Sequence, residues 1–132
     1  MRLIVALLTL LFIAFSQDSF ENSVQKAKAS DKLMLIYFKS QFCPYCTQVE
    51  EFVFSDEAVS KKLSSFVFLE LDIRSEEGSK LARKFGVPGT PTLVVYDPKE
   101  DKVVSLLFGS RPKDDFLKTL NRACKLYNIK PC

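Results

Sequence analysis

A chain of 132 residues, 47% of them apolar, has the length of one ordinary domain and enough apolar content to build a core without disulfide staples. Its formal net charge is +3, with 19 Lys and Arg interleaved among 16 Asp and Glu. No basic block or aromatic-basic stripe is present, which argues against nucleic acid as a partner, and no repeat, low-complexity tract or Gly/Ser linker suggests a second domain.

Met1-Arg2 is a short positive start, Leu3 to Phe15 is almost wholly apolar, and Ala14-Phe15-Ser16 fits a small-x-small cleavage site. The apolar run suits a signal peptide and falls short of the roughly 20 residues a membrane-spanning helix needs. An uncleaved N-terminal anchor is the competing reading. Cleavage near Ser16 makes residues 1–16 a signal peptide and 17–132 the mature domain, periplasmic or otherwise secreted.

Asp18 with Glu21 resembles a capping box, and Phe20, Val24 and Ala27 then form one apolar helical face up to about Ser30. The run Leu33 to Phe38 has strand length and composition. After the break Lys39-Ser40-Gln41-Phe42, helical spacing places Val49, Phe52 and Val53 on one stripe, with Cys46 on the same face. Ser55 reads as the N-cap of a further helical piece with Ala58, Val59 and Leu63 inward, so Phe54-Ser55-Asp56 is a kink or break. Phe66 to Asp72 is a strand, and Ser75 to Phe85 a helix, interrupted in propensity by Gly78 and closed by Gly86. Thr92 to Tyr96 and Lys102 to Phe108 are strands joined through Asp97-Pro98-Lys99-Glu100-Asp101 in a hairpin-like connection. Pro112 to Tyr127 closes the chain as an amphipathic helix with Phe116, Leu117, Leu120 and Ala123 inward. The order is a helix, then β-α-β-α-β-β-α. It predicts an α/β fold with a mixed sheet of about four strands and helices on both faces.

Cys43-Pro44-Tyr45-Cys46 falls where the first strand hands over to a helix. Cys43 is thus expected at the helix N-terminus, near solvent, with Cys46 a turn deeper. Free backbone N–H groups and the helix dipole there favour a thiolate on the first cysteine. Half of a structural zinc site and a purely structural disulfide are the competing readings. Zinc normally needs a second close pair of ligands, and the chain has no histidine and no other cysteines besides Cys124 and Cys132. The strand–loop–helix setting favours a redox site, with no metal and no cofactor beyond the disulfide.

The Cys-x-x-Cys at a strand-to-helix turn, the β-α that follows, and Gly89-Thr90-Pro91-Thr92 before a strand together resemble the thioredoxin superfamily, over essentially Leu33 to Tyr127. The likeness runs to bacterial periplasmic thioredoxin-like proteins. It implies a thioredoxin-like fold and thiol-disulfide oxidoreductase activity. It also implies a cis Pro91 facing the cysteine pair, and Thr90 offering backbone to an extended substrate segment. An ordinary trans proline opening a strand is the alternative. The family places Trp before the first cysteine and a buried acid on the preceding strand; here Phe42 and Tyr37 stand in those places, and Glu50 or Glu51 is the substitute acid. Pro44-Tyr45 matches the glutaredoxin dipeptide, but Gly89-Thr90-Pro91 and Gly109-Ser110 followed by Asp114 depart from the rest of that pattern.

The expected chemistry is reduction of protein disulfides, with Cys43 as nucleophile, Cys46 as resolving thiol, and Phe42, Pro44, Tyr45, Thr90 and Pro91 framing the substrate. Oxidation by the same dithiol and a non-catalytic binding or chaperone module are the alternatives. A membrane-linked thiol donor and a monomeric state are the partner expectations. Cys124 and Cys132 are expected to pair as a structural bridge, with a second redox relay as the alternative; closing that loop is worth roughly 2–3 kcal/mol in the chain-entropy model.

Overall fold

A computed structural model describes residues 19–130 and residue 132. The chain runs α1 (Ser19–Ser30), β1 (Met34–Lys39), α2 (Pro44–Val49), a π-helical segment (Glu50–Phe54), α3 (Glu57–Leu63), β2 (Val67–Asp72), α4 (Glu76–Phe85), β3 (Thr92–Asp97), β4 (Lys102–Phe108) and α5 (Lys113–Leu126). The leader expected over residues 1–16 and the Asp18 half of the capping box lie outside the described residues. Among the described residues no helix is long and apolar enough to cross a membrane.

The sheet order is β2-β1-β3-β4. Strand β1 pairs parallel with β2 and antiparallel with β3, and β3 pairs antiparallel with β4. The period of two along β1 divides the core. Met34, Ile36 and Phe38 pack with Val24 and Ala27 of α1 and Leu81, Ala82 and Phe85 of α4. Leu35 and Tyr37 face the other way, with Val49, Val53, Val59 and the α5 residues Phe116, Leu120 and Ala123. Central strands buried on both faces carry little polar alternation, as Met34 to Phe38 and Leu93 to Tyr96 do.

Edge strand β2 is different. Val67, Leu69 and Leu71 are buried, while Phe68, Glu70 and Asp72 are exposed on the opposite face. That uncovered face, beside α2, leaves room for a cleft.

Three expectations need correcting: Ala58, expected on the inward face of α3, is exposed beside the buried Val59. Phe52 does not join the inward stripe; it is 71% exposed. The π-helical winding fits one more residue into the turn, so Val53 and Phe54 take the inward positions. The Phe54 ring lies edge-on to Tyr37, Phe68 and Phe116 at 4.9, 5.8 and 6.0 Å. The N-cap of α3 is Asp56 rather than Ser55: its carboxylate accepts from Val59 N–H at 3.2 Å, while the Ser55 hydroxyl turns back to the Glu51 carbonyl.

Candidate active site

The turn after β1 places Cys43 as the N-cap of α2, with an extended backbone (φ −107°, ψ 98°) and its Sγ accepting from Cys46 N–H at 3.1 Å. Pro44 follows at the first helical position, where a missing N–H costs nothing and φ is already set for helix. Cys46 is one turn deeper, 2% exposed, and joined to Cys43 in a disulfide with a Cα separation of 5.2 Å. Of the two cysteines, only Cys43 is partly open to solvent.

Across the sheet, the loop into β3 brings Thr90 to the same point. Its Oγ1 lies 3.6 Å from Cys43 Sγ and 2.9 Å from Ser40 Oγ. The Thr90–Pro91 peptide is cis, and the Pro91 carbonyl accepts from Gly109 N–H at 2.8 Å. Phe42 and Tyr45 flank Cys43, 88% and 62% exposed. The structure thus brings Phe42, Cys43, Pro44, Tyr45, Cys46, Thr90 and Pro91 into one region. Cys124 and Cys132 lie elsewhere, bonded to each other at the end of α5 with a Cα separation of 5.9 Å.

A cleft of about 830 Å³ opens beside the pair, lined by both cysteines and by Lys39, Glu50, Glu70 and Asp72 among others. Lys39 Nζ sits 2.7 Å from Glu50 Oε1 and 3.3 Å from Glu70 Oε1. The hydrogen bond to Glu50 leads the effects that hold the Lys39 ammonium above its ordinary pKa, and partial burial opposes them. Glu50 is one helical turn beyond Cys46 and lines the same cleft, whereas Glu51 points to solvent. Tyr37 takes the place under Cys46 where the resemblance implied an acid; its hydroxyl donates to the Cys46 carbonyl at 3.4 Å. Burial above all, and then the negative Glu50, push its phenol pKa well up, so Tyr37 brings no negative charge to that place.

Four features escaped the sequence reading: Ser40 beside Thr90, the Lys39–Glu70 pair, the Gln48–Ser110 hydrogen bond at 3.1 Å, and Phe108. Phe108 is exposed at the end of β4, and its ring closes on Gly89, where a Cβ would meet it at 3.4 Å. Only the register Tyr37↔Glu70 carried a signal, since parallel pairing of two adjacent strands sets it.

A family profile described as a thioredoxin-like domain matches residues 20–123. The chain belongs to the thioredoxin-like family. Thioredoxin H4 of Arabidopsis thaliana is 34% identical over 99 residues, which are 75% of this chain and 78% of that protein. The solution structure of a thioredoxin from Thermus thermophilus is 42% identical, covers 80% of this chain and 83% of its own, and superposes with a TM-score of 0.73. The thiol:disulfide interchange protein DsbD of Campylobacter jejuni is 26% identical over 105 residues, 78% of this chain but only 18% of DsbD. As a member of this family the chain is a thiol-disulfide oxidoreductase with its redox group in the Cys43–Cys46 disulfide, and it needs no further cofactor. Among the described residues no cluster of His, Cys, Asp or Glu has the makings of a metal site.

Proposed function

We propose that this thioredoxin-like protein is exported and reduces disulfides of other proteins in the periplasm or a comparable space. The reading rests chiefly on the asymmetry of the pair: Cys43, at the helix N-terminus and partly open, accepts the Cys46 N–H, while Cys46 is buried. Cys43 is the attacking thiolate. It displaces one sulfur of a substrate disulfide, which leaves as a thiolate, and forms a mixed disulfide. Cys46 gives up its proton, attacks Cys43 Sγ and releases the reduced substrate, leaving Cys43–Cys46 oxidised. Glu50, in the cleft with Cys46, accepts that proton through water. Phe42, Pro44, Tyr45, Thr90 and Pro91 frame the docking surface.

The charges around the pair favour the reducing direction. Three carboxylates line the cleft against one lysine, which Glu50 and Glu70 already engage. A negative surrounding disfavours the thiolate form of the dithiol, so the disulfide is the favoured state and the dithiol a good electron donor. Export is supported by the basic start, apolar run and small-x-small site at the N-terminus, and by the likeness to DsbD. A membrane-linked thiol donor restores the dithiol, since the sequence carries no nicotinamide or flavin motif.

A redox titration in glutathione or dithiothreitol buffers, with Cys124 and Cys132 both changed to Ser, tests the direction. A potential near the roughly −270 mV of thioredoxin supports a reductant; one near the roughly −120 mV of DsbA makes it an oxidant and overturns the proposal. Cys43→Ser is expected to abolish insulin-disulfide reduction, and Cys46→Ser to trap substrates as mixed disulfides. If Cys43→Ser retains activity, or Cys46→Ser traps nothing, a binding module replaces the enzyme reading.

A further inference from the structure

The second disulfide sits in surroundings of opposite charge to the first. Cys124 is buried late in α5, and Cys132, bonded to it, is exposed. One groove of about 320 Å³ presents Cys132 with Lys61 and Lys62 of α3. Another, of about 300 Å³, presents Cys124 and Cys132 with Lys125 and Lys130. No Asp or Glu lines either groove. None of these four lysines is in an ion pair among the described residues. One exposed lysine does little, but four lining the two grooves that share Cys132 concentrate anions there.

We propose that Cys124–Cys132 is a second thiol-exchange site, selective for small thiols that carry carboxylates. The incoming thiolate attacks the exposed Cys132 Sγ. The Cys124–Cys132 bond breaks, its electron pair leaves on Cys124 Sγ, and a new disulfide joins the small thiol to Cys132. Cys124 then takes a proton from water, because burial and the C-terminal end of the helix dipole disfavour its thiolate. One disulfide is consumed and one is formed. Since Cys124 is a poor leaving group, a thiol that does not stay bound rarely completes the exchange, so anchoring on the lysines decides which thiol reacts. The tail stays in place after opening: Ile129 N–H bonds the Cys124 carbonyl at 2.9 Å, and Tyr127 and Ile129 pack on the core. This proposal is independent of the reading of Cys43 and Cys46.

The test uses the full chain with Cys43→Ser and Cys46→Ser, which silences the first pair. Bridge opening is timed with reduced glutathione, 2-mercaptoethanol and cysteamine, each rate expressed per thiolate. At low salt glutathione is expected to react roughly tenfold faster than cysteamine, with mercaptoethanol between, the spread closing at about 1 M salt. Peptide mass spectrometry should find the first adduct on Cys132. Changing Lys61, Lys62, Lys125 and Lys130 to Gln should remove the preference, slowing glutathione most, mercaptoethanol less and cysteamine least. Equal rates for the three thiolates, a first adduct on Cys124, or a preference that survives the four substitutions overturns the proposal.

Discussion

Phe42 holds φ at +58°, in the left-handed region that L-residues other than Asn and Asp seldom enter. For an aromatic residue this costs about 1–2 kcal/mol, and with the ring 88% exposed there is almost no burial to offset it. A side chain kept at such a position, next to Cys43, fits the docking role better than a packing role. Phe42→Gly relieves the backbone but loosens the unfolded chain by roughly 0.5–1 kcal/mol, so stability is expected to hold or rise by up to about 1.5 kcal/mol. Reduction of protein disulfides should fall while reduction of a small aromatic disulfide does not. Urea melts and the two assays decide it; a destabilised variant, or equal loss on both substrates, counts against the role. The Cys43-Pro44-Tyr45-Cys46 motif is plain in the sequence. The strained backbone of the residue before it is not, because φ depends on how the loop closes over Thr90 and Ser40.

At the scale of elements, the helix interrupted by Gly78 forms with good reason. Ser75 caps it, its hydroxyl accepting from Gly78 N–H at 2.9 Å, and Gly86 closes it with φ at +71°. A Cβ at Gly78 would stand 1.9 Å from the Asp72 carbonyl oxygen, so the glycine lets α4 start against the end of β2. Gly78→Ala gains up to about 1 kcal/mol of helix propensity and forces a backbone clash costing about 1–3 kcal/mol or more. The clash wins. A urea midpoint that does not fall would refute this. The start of α1 is capped from outside: Glu77 of α4 accepts from Ser19 N–H at 3.0 Å, Ser19 Oγ at 2.9 Å and Phe20 N–H at 3.0 Å. Sequence neighbours suggest a local capping box, and a carboxylate 58 residues away has no local signature. The exchange of Phe52 for Phe54 has a similar cause: helical spacing assumes a regular pitch, and the π-helical segment changes it.

Over the whole molecule, the apolar layer beneath α2 meets the site through Tyr37, which reaches from that layer to the Cys46 carbonyl. Its phenol is held above its ordinary pKa by burial first and by Glu50 second. The sign is therefore fixed: this contribution is intact below the unfolded pKa of about 10 and is lost as pH rises from there through the folded value. Tyr96 behaves alike, through burial first and then its hydrogen bond to Asp101. Tyr37→Phe should cost at most about 1 kcal/mol near neutral pH, since the hydrogen bond lost is a long one. It should also flatten the alkaline fall in stability above pH ~10. Parallel stability curves for variant and wild type across that range would disprove the account.

The sequence by itself determined the order of elements, the mixed sheet, and the likeness carried by Cys43, Cys46 and Gly89-Thr90-Pro91. These follow from periodicity, turn residues and spacing, all of which act within a few positions along the chain. The tertiary structure decided what surrounds the pair. Pairing β1 with β2 sets Lys39 beside Glu70, and the helix after Cys43 swings Glu50 onto the same lysine. Because β2 is an edge strand, its face stays open and an acidic cleft forms next to Cys46. The charges lining that cleft come from separate elements, and their juxtaposition exists only once the sheet has formed.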